Sequence, residues 1–290
     1  MEWFALTLVS AFAIATADAA TKRLLPDYSG RDLVLIRFAV PALLLLPLAL
    51  ANPLPPVPPV FWVWVAALVP LELLAAWLYA TAIRDAALHL TLPYLAFTPV
   101  FNTVTGWVLL GETVSPQGLA GILLVVAGAY TLHLQHARPR ELRSWFAPFP
   151  AILHERGSRL MLAVAAIYSL TSVMGKGAMQ YATPTSFGAF YFALLGAVIL
   201  AGYALYRPGR LAVLRHRPGA HLLVGGAMAV MVVTHFLAIA QVEVAYMVAV
   251  KRTSLLFGIL YGAVLFHERK VGRHLFAGAL MVAGVALILI

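Results

Sequence analysis

The sequence predicts an all-α polytopic membrane protein of ten transmembrane helices, arranged as two inverted five-helix repeats. Three observations carry that prediction. Hydrophobic residues make up 62% of the 290 and charged residues only 11%, with mean hydropathy +0.91, whereas a soluble domain carries about 25% charged residues. Apolar runs of membrane-spanning length recur from one end of the chain to the other. A shift of 156 positions lays the second half on the first.

In order, the expected spans are 3–21, 32–51, 60–83, 88–110, 117–135, 159–181, 185–206, 219–240, 243–266 and 272–290. The first is a retained helix rather than a secretory signal, because its start has no positive charge and Lys22 and Arg23 follow the apolar run. Within it Asp18 and Lys22 stand four apart in the favourable acid-first order, as an ion pair or as a transport group. Arg37 opens the second span and is expected to snorkel; Pro41 and Pro47 lie inside the same span. The stretch 52–59, NPLPPVPP, is a stiff uncharged connector.

Glu72, in the third span, is an intramembrane carboxylate. Such a group is a functional candidate or the partner of a basic residue on another helix. The fourth span is broken by Pro93 and Pro99, and Thr98, Asn102 and Thr105 share one of its faces. Lys176 is buried near the end of the sixth span, in line with Tyr168 and Ser172. The eighth carries His235. The ninth, from Glu243, holds Lys251 and Arg252 near its middle, where a charge costs at least a few kcal/mol. Ser254, Gly258 and Tyr261 continue a stripe from Lys251. Gly258 and Gly262 form a small-xxx-small pattern expected to pack against a helix.

The repeat joins these features. Phe101 falls on Phe257, Gly106 on Gly262, Leu109 on Leu265, Glu112 on Glu268 and Gly128 on Gly284. Each copy is a long helix ending in an apolar run and Glu, then a turn and a small-residue helix. The stripe of span four lies over that of span nine, Thr98 on Ser254, Asn102 on Gly258 and Thr105 on Tyr261. Five spans per copy is an odd number, so the second copy inserts upside down relative to the first. The expected organisation is 1–135 as the first repeat, 136–158 as a basic amphipathic connector and 159–290 as the second repeat.

The stretches AFTPVFNTVTGWVLLGETVSPQGLAGILLVVAGAY and SLLFGILYGAVLFHERKVGRHLFAGALMVAGVALI resemble the paired half-signatures of the drug/metabolite transporter superfamily, EamA-type branch. The resemblance covers nearly the whole chain. It implies a secondary transporter, an exporter or exchanger, working by alternating access at a midplane cavity between the repeats. Val250-Lys251-Arg252 followed by Thr253-Ser254 is similar to the Lys-Arg pair in the ninth helix of plastid-type phosphate translocators, where the pair binds phosphate; the rest of the chain does not otherwise look like that branch.

The expected solute is therefore a small metabolite bearing a carboxylate or phosphate. Lys251, Arg252, Ser254, Lys176, Thr98, Asn102 and Tyr261 would bind it, and Glu72, Glu243, Asp18 or His235 would serve in coupling or as counter-ions. The alternatives are an exporter of amino acids, amines or drugs in which the Lys-Arg pair is structural, or an intramembrane lipid-handling protein.

Sixteen of the twenty basic residues fall in odd-numbered loops and none in even-numbered ones. The positive-inside rule then places both termini outside the cytoplasm, in a plasma (inner) membrane. This loop charge also explains the +9 net charge without nucleic acid, the partners being solute and lipid. There is no cysteine for a thiolate site. Val271 stands where the second histidine of a zinc-protease helix would follow His267-Glu268, and His133 and His136 have no third ligand nearby. No Walker-type loop is present. No enzyme, metal or cofactor is expected.

Overall fold

The computed structural model describes residues 2–85, 92–133, 155–266 and 272–290. Among them are eleven α-helices: α1 (Glu2–Leu24), α2 (Gly30–Ala51), α3 (Pro59–Asp85), α4 (Thr98–Leu110), α5 (Pro116–His133), α6 (Arg156–Ala178), α7 (Pro184–Tyr206), α8 (Pro218–Ile239), α9 (Val244–Lys251), α10 (Ser254–Phe266) and α11 (Gly272–Leu289). Two 3-10 turns, Leu92–Phe97 and Pro208–Arg215, complete the set. Seven helical stretches, matching expected spans one to three and six to nine, are long and apolar enough to cross a membrane. Spans four, five and ten correspond to shorter apolar helices, Tyr94–Leu110, Pro116–Thr131 and Phe276–Leu289. Most of the 136–158 connector, and the whole 267–271 motif, lie outside the described residues.

Local chemistry sets the helix ends. Ser29 caps α2 through a reciprocal capping box with Asp32. Thr183 caps α7, accepting from the Ser186 N–H at 3.1 Å, with Pro184 in the first turn. In span four the prolines do as expected: a 3-10 turn leads into α4, which starts with Pro99 in its first turn. α4 ends at Gly111, whose φ of 70° is the left-handed conformation that glycine adopts without a Cβ clash.

Span nine departs from the continuous helix expected over 243–266. α9 stops at Lys251, and the Arg252 and Thr253 N–H groups reach back three residues, to Ala249 and Val250. α10 then begins at Ser254. A 3-10 tightening inside a span marks a hinge or a functional position, and here it falls on the basic pair.

The helices also repeat. α4 and α10 are both 13 residues long and start at 98 and 254; α5 and α11 are both 18 and start at 116 and 272. All four boundaries obey the one offset found in the sequence.

The chain forms two compact units, and neither coincides with a sequence half. The first comprises Met1–Val65, Ala178–Gln241 and Ser254–His267, hence α1, α2, the start of α3, α7, α8 and α10. There α1 packs on α8 and α10, and α2 on α7 and α8. Small residues permit the close approach: a Cβ on Gly196 would stand 2.2 Å from that of Ala42, and one on Gly225 would stand 2.3 Å from Val40. Ser10 donates to the Met231 carbonyl at 3.1 Å, and Phe61, Phe187, Tyr191 and Phe236 form an aromatic cluster.

The second unit comprises Ala66–Gly177, Val242–Thr253 and Glu268–Ile290, hence the rest of α3, α4, α5, α6, α9 and α11. Its tightest joint is α5 on α11. A Cβ on Gly121 would lie 2.7 Å from the Gly284 carbonyl oxygen, and one on Gly128 would lie 2.6 Å from that of Ala277. The repeat offset turns Gly121 into Ala277 and Gly128 into Gly284. The two contacts are thus one contact made twice, between antiparallel helices, as a twofold relation between inverted copies requires. Gly258 differs. A Cβ there would meet nothing within 4 Å, so the packing role expected for that glycine is not what it does.

Candidate functional site

The polar residues of the second unit converge through α3, α4, α6 and α9. Ser169 on α6 and Thr105 on α4 share a hydrogen bond of 2.6 Å. Seven residues further along the chain from each, Lys176 on α6 meets Glu112 just past the end of α4, Nζ to Oε1 at 2.5 Å. α6 therefore runs parallel to α4. Lys176 also donates to the Val242 carbonyl at 2.6 Å, while Arg252, at the far end of α9, lies in electrostatic range of the Tyr168 phenol. α9 thus runs back along α6, antiparallel to it and to α4. This order brings Arg252 to the level of Tyr168, with α9 packed on α4.

The start of α9 is held by a clasp. Glu112 spends one carboxylate oxygen on Lys176 and the other on the Val244 N–H, at 2.9 Å. Lys176 closes the ring through the Val242 carbonyl. The carboxylate lies against the helix N-terminus, where backbone donors lack partners and the dipole favours an anion. Two residues on, the Tyr246 hydroxyl accepts from the Ser115 N–H at 2.9 Å. Gly118 makes room for it, since a Cβ there would stand 2.2 Å from the Tyr246 oxygen. Ser115 also caps α5, accepting from the Gly118 N–H at 3.0 Å.

At the other end of α9 the two cations have different surroundings. Lys251 lies in electrostatic range of Glu72, which shares a hydrogen bond with the Thr171 side chain. Among the described residues no carboxylate pairs with Arg252, and its Nε is buried with no partner. The neighbouring Thr253 hydroxyl is likewise buried and unpartnered. So is the side chain of Asn102, 1% exposed, with both its nitrogen and its oxygen unsatisfied.

The structure therefore brings Lys251, Arg252, Lys176, Thr98, Asn102, Glu72 and Glu243 into one unit. Their roles divide. Thr98 bonds back to the Leu95 carbonyl at 2.8 Å and helps turn the chain into α4. Lys176 is committed to Glu112 and Val242. Glu243 is the N-cap position of α9 without a side-chain capping bond.

Ser254, Tyr261, Asp18 and His235 belong to the other unit. There Tyr261 hydrogen-bonds Thr16 at 2.7 Å and packs with Phe12, Asp18 pairs with Arg37 at 2.5 Å, and His235 stacks edge-on to Phe236. Ser254 opens α10. Tyr261 is the repeat equivalent of Thr105, and each bonds a hydroxyl of the helix that begins the opposite half, Thr16 on α1 and Ser169 on α6.

Glu112, Tyr246, Ser169 and Thr171 were not expected at the site. Glu112 left a signal, the Glu shared by both repeats, and Tyr168 stood in line with Lys176. Nothing in the spacing of Tyr246 announced its contact with Ser115.

The sequence profile of the EamA-like transporter family matches residues 1–134 and 156–290. A solved crystal structure, described only as that of a protein, is 17% identical and superposes with a TM-score of 0.73, covering 99% of this chain and 96% of its own. That likeness concerns the fold. No curated protein sequence matches the chain.

Proposed function

Since the chain belongs to the EamA-like transporter family, we propose that its solute is a small metabolite bearing a carboxylate or phosphate, met by Arg252. The observation that carries this reading is the imbalance at the end of α9. Lys251 has Glu72 as an electrostatic neighbour, whereas Arg252 has no carboxylate among the described residues. An uncompensated cation at membrane depth is costly, and a solute anion would offset that cost. A guanidinium also presents two parallel donors to a carboxylate or phosphate.

The transport cycle in this reading is alternating access between two inverted repeats, 1–135 and 159–290, joined by 136–158. Support comes from the shared helix boundaries and from the twice-made contact of α5 with α11. Odd-numbered loops face the cytoplasm and both termini lie outside, on the strength of the basic residues in those loops.

The test is uptake into proteoliposomes of a panel of labelled probes: inorganic phosphate, small phosphate monoesters, monocarboxylates and dicarboxylates. Wild type is expected to move at least one of them, and Arg252→Gln to lose that uptake tenfold or more. Uptake unchanged in both Arg252→Gln and Lys251→Met overturns the assignment. The second reading, with the basic pair structural and a neutral or cationic solute, is favoured by the proximity of Lys251 to Glu72. It predicts that no anion of the panel is moved.

A further inference from the structure

In the second unit, the buried side-chain nitrogen and oxygen atoms without partners, among the described residues, all sit on Asn102, Arg252 and Thr253. Native structures leave few such groups, and each calls for an explanation. Here the three lie on α4 and at the end of α9, two helices that pack on each other. Arg252 and Thr253 are adjacent, and Arg252 stands at the level of Tyr168. The next residue, Ser169, is bonded to Thr105, one helical turn from Asn102 on the same face. The surrounding polar groups are engaged: Thr105 and Ser169 bond each other, Thr98 bonds Leu95, and Thr171 bonds Glu72.

We propose that Asn102, with Thr253, forms an uncharged half of the solute site beside Arg252, and that it takes a hydroxyl carried by the transported anion. This deepens the anion-transport reading and rests on it. The chemistry follows from the donors and acceptors left over. An amide offers a donor and an acceptor side by side, and a threonine hydroxyl offers both at one atom. A hydroxyl also donates and accepts, so it can satisfy Asn102 from either side. An ammonium group fits poorly, because it only donates and would sit beside Lys251 and Arg252. An apolar group would leave the amide unsatisfied. Sites built to hydrogen-bond a hydroxyl reject the analogue lacking it strongly, whereas apolar pockets discriminate a methylene only about 10–200-fold.

The experiment compares pairs of anions that differ by a hydroxyl. Glycerol 3-phosphate is set against propyl phosphate, and lactate against propionate, in proteoliposome uptake by wild type, Asn102→Leu and Thr253→Val. Wild type is expected to prefer the hydroxylated member tenfold or more. Asn102→Leu should reduce that preference to within about twofold while still moving the deoxy anion, which shows that the variant is folded; Thr253→Val should reduce it in part. A wild type that moves both members equally overturns the proposal while leaving the anion reading intact. So does a preference that survives Asn102→Leu. Movement of neither pair by wild type, with Arg252→Gln matching wild type on every other anion, removes both. If Asn102→Leu does not fold, the wild-type pair comparison and Thr253→Val decide.

Discussion

Lys251 and Arg252 are neighbours in sequence, yet the structure gives them unlike surroundings, Glu72 near one and a phenol near the other. Adjacent residues on a helix point about 100° apart, so this divergence was legible in the sequence; which of the two faced an acid was not, because that depends on where α3 places Glu72. The divergence predicts unlike variants. Arg252→Gln should abolish anion uptake without lowering thermal stability in detergent. Lys251→Met and Glu72→Gln should each lower stability by leaving the other charge unbalanced in the interior. The double variant should recover part of that loss, which additive losses in a double-mutant cycle would contradict.

At the scale of the element, the clasp on α9 differs from an ordinary ion pair because each charged group also serves a backbone group of matching polarity. Glu112 accepts from the Val244 N–H and Lys176 donates to the Val242 carbonyl. Exchanging the two side chains, Glu112→Lys with Lys176→Glu, would set a donor against the N–H and an acceptor against the carbonyl. The swap should therefore fail to restore what either single change removes, about 3 kcal/mol for a largely buried pair. Thermal denaturation in detergent checks this, and full rescue would reduce the clasp to a simple ion pair. A second prediction concerns glycines. Gly284→Ala forces a methyl against the Gly121 carbonyl, 2.6 Å away, whereas Gly258→Ala enters open space. The first should cost about 1–3 kcal/mol and the second almost nothing. Sequence pattern pointed the other way, at Gly258 and Gly262, because a small-xxx-small motif says that a helix can be approached and not which neighbour approaches it.

On the scale of the whole molecule, ten spans and one offset were readable because membrane length and hydropathy are local properties and duplication leaves identities in register. The assignment of helices to compact units was not readable. It interleaves the halves, so that α4 of the first half shares a unit with α6 and α9 of the second. The break after Lys251 was hidden for a different reason: the apolar runs on both sides of the polar residues 251–254 together have the length of one span, and only the backbone hydrogen bonds show the tightened turn. The proposed orientation rests on loop charge, and it predicts that a reporter fused after Ile290 will be active only on the side away from the cytoplasm. A cytoplasm-only signal would reverse the assignment.

The clasp also orders events during synthesis. Glu112 leaves the ribosome 64 residues before Lys176 and 132 before Val244. At about 5–20 residues per second, its carboxylate waits on the order of ten seconds for the backbone group that completes the ring. Through that interval a nascent chain holds an acid whose partners have not all been made. The second half of the protein is then what releases the first from an unfinished state, and a chain truncated before α9 should be recognised and degraded as incomplete.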